Sequence, residues 1–312
     1  MENSKSNFVR MLDEIWKEEE ITSRSFSYDW AFRLEKNGKS GYILGYQFGL
    51  NSAVAQAICS DKSVASEIMK EHGISNVPHH CIMSPPMSQF IGGDGSWQEM
   101  LSLLEQYKVI VCKDNKGTGG KLVFRVANRR QLEQAAYDIF ANSDYMAISP
   151  FQDIKEEYRV IVLDGKVKLV FSKVRSFLTG DGSSTILKLY GNYLATAEKP
   201  MQCVIADKDA NSVLKEGEIF HLNWKHNLGQ GAGANLLSSG FKYEELSKLA
   251  CEAAKLLKVR FGSIDIIDTE QGMQVLEVNT GVMMEHFAGL NKYNYELAKH
   301  IYKEAILKML SE

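Results

Sequence analysis

Asp265, Glu277 and Asn279 carry oxygen atoms at a spacing that could hold a magnesium ion. The runs Phe261-Gly-Ser-Ile-Asp265 and Met273-Gln-Val-Leu-Glu-Val-Asn279 read as two neighbouring strands. Side chains two apart on a strand share a face, so Glu277 and Asn279 point the same way. A hairpin turn around Thr269-Glu-Gln-Gly272 then brings Asp265 roughly opposite them. Magnesium favours one or two carboxylates and a neutral oxygen, with substrate phosphates completing the octahedron. A surface hairpin with solvated acids would show the same acid–x–amide pair, so the reading depends on the rest of the chain.

A phosphate partner for such a cation is offered upstream. Lys113 ends an apolar strand and is followed by Asp-Asn-Lys116-Gly-Thr-Gly-Gly-Lys121, a loop of little bulk that offers backbone N–H groups beside lysine charges. It is not a Walker A loop, because a strand and not a helix follows the glycines; a plain turn with solvated lysines is the alternative. The cluster Gly229-Gln-Gly231-Ala-Gly233-Ala234 formally satisfies GxGxxA, but His221-Leu-Asn-Trp-Lys-His-Asn before it is no buried strand, which argues against a dinucleotide fingerprint. Lys173 and Arg175 share one face of the strand Val170-Phe-Ser-Lys-Val-Arg175. The pair His79-His80, with His221, His226 and His286, fits no compact zinc spacing and is read as surface or core histidine.

The elements that must position these groups follow from periodicity. Phe8, Met11, Leu12 and Ile15 have helical spacing; Tyr28 to Glu35 alternates as a strand, turned at Asn37-Gly38 into a second run at Tyr42-Ile-Leu44. A helix is expected from near Ser60, with Asp61 in its first turn, Val64, Ile68 and Met69 as its apolar stripe and Gly73 at its end. Past a connection punctuated by Pro85, Pro86, Gly92, Gly93 and Gly95, the pattern predicts a helix over 97–106, strands over 109–113 and 122–126, and a helix over 130–141. Two strands turned at Asp164-Gly165 and helices over 243–258 and 295–310 complete the reading. At 312 residues, 45% hydrophobic and 24% charged, the chain suits about two globular domains. A net charge of −3 argues against nucleic-acid binding through a broad basic surface, and no run nears the ~20 apolar residues of a membrane span. Five scattered cysteines without a CxxC pair and an N-terminus without an apolar leader point to a cytoplasmic protein with reduced thiols.

In order along the chain stand a strand-end lysine with a glycine-rich loop, Met146-Ala-Ile-Ser-Pro-Phe-Gln with Glu156-Glu-Tyr-Arg159, and Asp265 with Glu277-Val-Asn279. From about Asp61 to Asn279 this series resembles the ATP-grasp superfamily, and within it the carboxylate–amine ligase branch of cyanophycin synthetase and the glutathione-synthetase half of bifunctional glutathione enzymes. Thr179-Gly-Asp-Gly-Ser-Ser-Thr-Ile186 and Asn227-Leu-Gly-Gln-Gly231 resemble that branch's G-D-G-x-S-T and N-L-S-x-G-G segments.

The resemblance implies an α/β ATP-grasp fold, two α+β subdomains clasping ATP: a shortened N-terminal region over 1–60 and an ATP-grasp domain over 61–312, with its lid over about 85–148 and its central part over about 149–312. Lys62 and Lys113 would contact ATP phosphates under a lid of Gly117, Gly119 and Gly120. Ser149 to Phe151 would read the adenine edge, although Pro150 has no N–H to donate, and Glu157 would hold the ribose. Asp265, Glu277 and Asn279 would hold two Mg²⁺ ions, with Mn²⁺ as a substitute. Arg175, with Lys173, would stabilise an acyl phosphate; Arg159, Asp181, Ser183, Ser184 and Asn227 are expected near the substrate carboxylate or amine. The loop after Asn279 borders the acceptor pocket in the family, which makes Gly281, Met284, Glu285 and His286 candidates for specificity. The implied activity joins a small-molecule carboxylate to an amine, such as an amino acid or peptide, and a homodimer partner could complete the acceptor wall. A hydroxyl kinase and a non-catalytic nucleotide-binding subunit are the competing readings.

Overall fold

The computed structural model describes residues 5–92, 97–196, 209–225 and 233–312. Its first helix, α1 (Asn7–Glu18), starts where the Ser6 side chain accepts from the Val9 N–H, and it buries the predicted stripe of Phe8, Met11, Leu12 and Ile15. An antiparallel sheet follows, ordered β1 (Thr22–Phe26), β2 (Ala31–Lys36), β3 (Lys39–Leu44) and β4 (Gln47–Phe48). Asn37 and Gly38, at φ 51° and 77°, make the tight turn between β2 and β3. The strand expected from Tyr28 begins only at Ala31, because Tyr28 and its neighbours form a turn, and β1 itself is exposed at every residue and, Phe26 apart, polar. Next come α2 (Ala53–Ser60) and α3 (Lys62–Glu71), with Asp61 accepting from Val64 N–H as the N-cap of α3. The inward face of α3 is Ser63, Ala65, Ser66 and Met69; Val64, expected in the stripe, is exposed.

A second unit contains β5 (His80–Met83), α4 (Pro85–Ile91), α5 (Trp97–Tyr107), β6 (Ile110–Asp114), β7 (Val123–Val126), α6 (Arg129–Phe140) and β8 (Tyr145–Pro150). Its sheet runs β5-β8-β6-β7 over a core that includes Ile82, Cys112, Leu132 and Ile148. The stretch read as a connection at Pro85-Pro86 is helical: Ser84 caps it, and proline is tolerated in a first turn, whose N–H groups have no partner inside the helix.

The rest of the chain supplies β9 (Glu156–Leu163), β10 (Lys166–Val174), β11 (Phe177–Thr179), α7 (Ile186–Thr196), β12 (Ile219–His221), β13 (Gly233–Leu236), α8 (Phe241–Leu256), β14 (Phe261–Thr269), β15 (Gly272–Asn279), α9 (Glu285–Ala288) and α10 (Lys292–Met309). The central sheet is ordered β13-β10-β9-β14-β15. Its alternation sends Tyr158, Val160, Val162, Ile264 and Ile266 into one core with Leu246, Ala250 and Ala253 of α8. Ile161, Leu163, Leu169, Phe171 and Phe261 pack instead with Leu12 and Ile15 of α1, Phe32 and Leu34 of β2, and Ile301 and Ala305 of α10. Residues 8–50 therefore share one core with the central sheet and stand over it.

Candidate active site

The second of those sheet faces is half core and half site. Along β9 the residues following the parity of Ile161 and Leu163 are Arg159 and Glu157; on β10 and β14 the corresponding places are Lys173 and Asp265. The register sets Lys173 opposite Glu157, Arg159 opposite Asp265, and Asp265 opposite Glu277, with Ser263 opposite Asn279. One row across four strands thus collects five charged side chains.

The Arg159 guanidinium grips Asp265 with both arms, Nε to Oδ1 at 2.8 Å and Nη2 to Oδ2 at 2.7 Å. Lys173 Nζ lies 2.5 Å from Glu157 Oε1 and 2.9 Å from Asp265 Oδ2. Burial pushes the Asp265 carboxyl up, but Arg159 and Lys173 prevail and hold it well below the usual carboxylate range. For Glu157 burial prevails: its carboxyl is raised despite Lys173, with the Asp265 charge adding to the rise. Across the cavity Lys113, at the end of β6, is buried, and its ammonium makes no ion pair or hydrogen bond among the described residues. Burial lowers its pKa to about 8, Lys62 adding to the fall, while Glu277 and Glu157 work against it.

These groups line a cavity of about 700 Å³, together with the glycine loop, Arg175, Ser149, Phe151, Asn279 and Gly281. Lys62 Nζ donates to the carbonyls of Gly117 at 2.6 Å and Asn115 at 3.4 Å, and Lys225 Nζ to that of Gly120 at 3.4 Å. Phe151 is flanked by the Arg125 guanidinium at 4.8 Å and by Trp224 at 5.7 Å between ring centroids. Its N–H already donates to Val109 O and Pro150 has none, so two backbone positions of the expected adenine edge hold no free donor. Arg175 is half-buried and unpaired among the described residues; burial lowers its pKa, Asp153 opposing.

Several expected residues sit elsewhere. Met284 is fully buried in the core beside Tyr302, and Met283 lines the cavity in its place. Glu285 turns away: its carboxylate accepts from the N–H groups of Asn7 and Phe8, both at 2.8 Å, at the start of α1. Asp181 accepts from the N–H groups of Ser183 and Ser184, shaping its own loop, and these bonds hold its pKa well below the usual range. None of Asp181, Ser183 and Ser184 lines the cavity, and Asn227 lies outside the described residues, as do His226, Gly229 and Gly231. Sequence reasoning passed over Trp30, Tyr46, Gln47, Trp224 and Lys225, all of which line the cavity. Two tryptophans in polar stretches were the available signal.

The donor set suits magnesium chemically, being two carboxylates and one carboxamide. Asp265 takes three hydrogen bonds from Arg159 and Lys173, and a carboxylate has about four acceptor sites, so one direction is left for a cation. Asn279 Nδ2 donates to Glu277 Oε1 at 3.1 Å, which leaves the amide oxygen available as a ligand. Among the described residues no cluster of three or more histidine, cysteine, aspartate or glutamate side chains competes with it as a metal site.

The profile of the RimK-like ATP-grasp domain matches residues 172–303. Cyanophycin synthetase of Geminocystis herdmanii is 26% identical over 195 residues, 56% of this chain and 22% of that protein. The tetrahydromethanopterin:alpha-L-glutamate ligase of Methanocaldococcus jannaschii is 38% identical over 58 residues, 19% of each protein. The matches thus span only about a fifth of these curated relatives. A bifunctional glutathione synthetase from Pasteurella multocida superposes with a TM-score of 0.56 at 14% identity, over 96% of this chain and 44% of that one. D-alanine–D-alanine ligase from Bacillus anthracis gives 0.54 at 16%, over 83% and 68%; at such identities these two show the fold alone. The chain has the ATP-grasp fold and resembles the carboxylate–amine ligase branch of that superfamily.

Proposed function

We propose that the protein joins a carboxylate to an amine at the expense of ATP, through an acyl phosphate. The observation that carries this reading is the row Lys173, Glu157, Arg159, Asp265 and Glu277 on one sheet face, lining the same cavity as Lys113 and the glycine loop. Lys113 and Lys62, with the N–H groups of the loop, would bind the triphosphate, and Glu157 the ribose. Asp265, Glu277 and Asn279 would hold Mg²⁺, which when bound neutralises charge on the phosphates. Arg159 and Lys173 fix Asp265 in place, so the carboxylate is oriented before any ligand arrives. The substrate carboxylate oxygen would attack the γ-phosphorus as its bond to ADP breaks. The amine nitrogen would then replace phosphate at the carbonyl carbon, releasing phosphate and a proton. Arg175 is the unpaired cation suited to the oxyanion of that second step.

Hydroxylamine tests the acyl phosphate by replacing the amine. With Mg-ATP and a panel of carboxylates the expected product is a hydroxamate, and Arg175→Ala should reduce it by about 10²-fold or more while leaving ATP affinity nearly unchanged. Stable phosphorylation of a hydroxyl compound, with no hydroxamate from any carboxylate, would replace this reading with a kinase.

A further inference from the structure

Part of the cavity wall is uncharged, and of its residues Tyr46 also packs on the core, its ring 4.8 Å from that of Phe8. Trp30 and Leu44 line it with more than half of their surface exposed, at 56% and 57%, and Tyr46 and Met283 stand beside them. Their adjacency is fixed by backbone. Gly45 N–H donates to Trp30 O at 2.7 Å, Leu44 is in register with Ala31, and Val282 N–H donates to Tyr46 O at 3.1 Å. The wall therefore joins the N-terminal sheet to the loop after Asn279.

Trp30 is held there at a conformational cost. The turn before it places Ser27, Tyr28 and Asp29 consecutively at φ 51°, 57° and 64°, a left-handed run that side-chain-bearing residues rarely adopt. Ser25 Oγ donates to Asp29 Oδ1 at 2.5 Å, and Trp30 N–H reaches the carbonyls of Phe26 and Ser27, both at 3.2 Å. The indole rests on Gly45, where a Cβ would come within 2.7 Å of the ring. An apolar ring fixed by a strained turn and left open toward a cavity is an anchor awaiting a partner.

We propose that Trp30, Leu44, Tyr46 and Met283 form the subsite for an aromatic or large aliphatic side chain of the amino-acid or short-peptide substrate. The inference rests on the ligase reading and names its substrate class. Charge complementarity divides the cavity. Phosphate and carboxylate groups find Lys113 and Arg175, whereas none of these four side chains carries a charge, and an apolar side chain laid on them removes their exposed surface from water.

The test is calorimetric titration of the full chain, with magnesium and a non-hydrolysable ATP analogue, by glycine, alanine, leucine and phenylalanine, by their dipeptides, and by aspartate and lysine. Affinity should rise about tenfold or more from glycine to phenylalanine. Trp30→Ala should abolish that gain, Trp30→Phe should retain most of it, and Leu44→Ser should reproduce the loss, with nucleotide affinity and melting temperature unchanged in all three. Equal affinity along the series, no binding by any compound, tighter binding of aspartate or lysine, or a Trp30→Ala protein that binds like the parent would each overturn the subsite. Side-chain selectivity that persists without hydroxamate formation would count against the ligase reading alone.

Discussion

Lys113 and Asp265 are both buried charges facing one cavity, and their surroundings are opposite. Asp265 on the central sheet is surrounded by Arg159 and Lys173, with Lys173 in turn held by Glu157. The Lys113 ammonium on the other sheet has no bonded partner among the described residues, and the loop beyond it is glycine-rich. The first region is organised by its own side chains; the second awaits an anion. A buried charge without a partner is unfavourable in the free protein, and that cost is recovered when phosphate arrives. A pre-paired cluster gains little further stability from a ligand but holds its geometry throughout.

Substitution should separate the two regions. The largest effect is expected from Asp265→Asn, which strands Arg159 as a buried cation and leaves Lys173 with Glu157 alone. About 3–5 kcal/mol of stability should be lost in denaturant unfolding, together with ATP turnover. If Asp265→Asn melted like the parent, the cluster would not be the rigid half. Lys113→Met should act the other way, weakening ATP binding about tenfold or more by calorimetry while the melting temperature holds or rises, because a desolvated charge has been removed.

The titration of Lys113 sharpens the contrast. With its pKa in the folded protein at about 8, against an ordinary 10.5, the unfolded chain binds more protons between these values. The lysine's contribution to stability therefore rises as pH climbs through that window, and Lys113→Met should remove the rise. ATP binding near pH 9 should take up close to one proton, measured as a dependence of the calorimetric heat on buffer ionisation. The smallest effect is expected at Gly119, whose φ of 70° lies in open space. Gly119→Ala adds no clash but about 1 kcal/mol of left-handed strain, so ATP affinity should fall roughly fivefold with the melting point unmoved. A fall as large as that of Lys113→Met would show the loop to be as rigid as the opposite sheet.

What could be read in advance follows the range of the forces. Strands β9, β10, β14 and β15 were legible because apolar residues run through them and turn signals at Asp164-Gly165 and Gly272 announce them. β1 was not, since Thr22 to Phe26 buries nothing, and α2 and α4 were passed over as short elements among small or proline residues. The pairing of Asp265 with Glu277 is local to one hairpin and could be anticipated. The grip of Arg159 on Asp265 joins residues 106 apart, and the choice between Met283 and Met284 depends on Tyr302, whose hydroxyl accepts from the Met284 N–H. Pattern along the chain does not encode such long-range contacts.

The bond from Glu285 to the first turn of α1 also orders assembly. It closes a loop of some 278 residues on the segment that follows Asn279. Closure entropy grows only with the logarithm of loop length, so the finished contact is not expensive, but it comes late. During synthesis α1 leaves the ribosome long before Glu285 or α10 exists to cover it, so α1 and the amino-terminal sheet at first have only each other, as in the contact of Trp16 with Phe32. The cavity wall built from residues 30–47 is thus among the last parts to mature, and chaperone dependence should be concentrated in that interval.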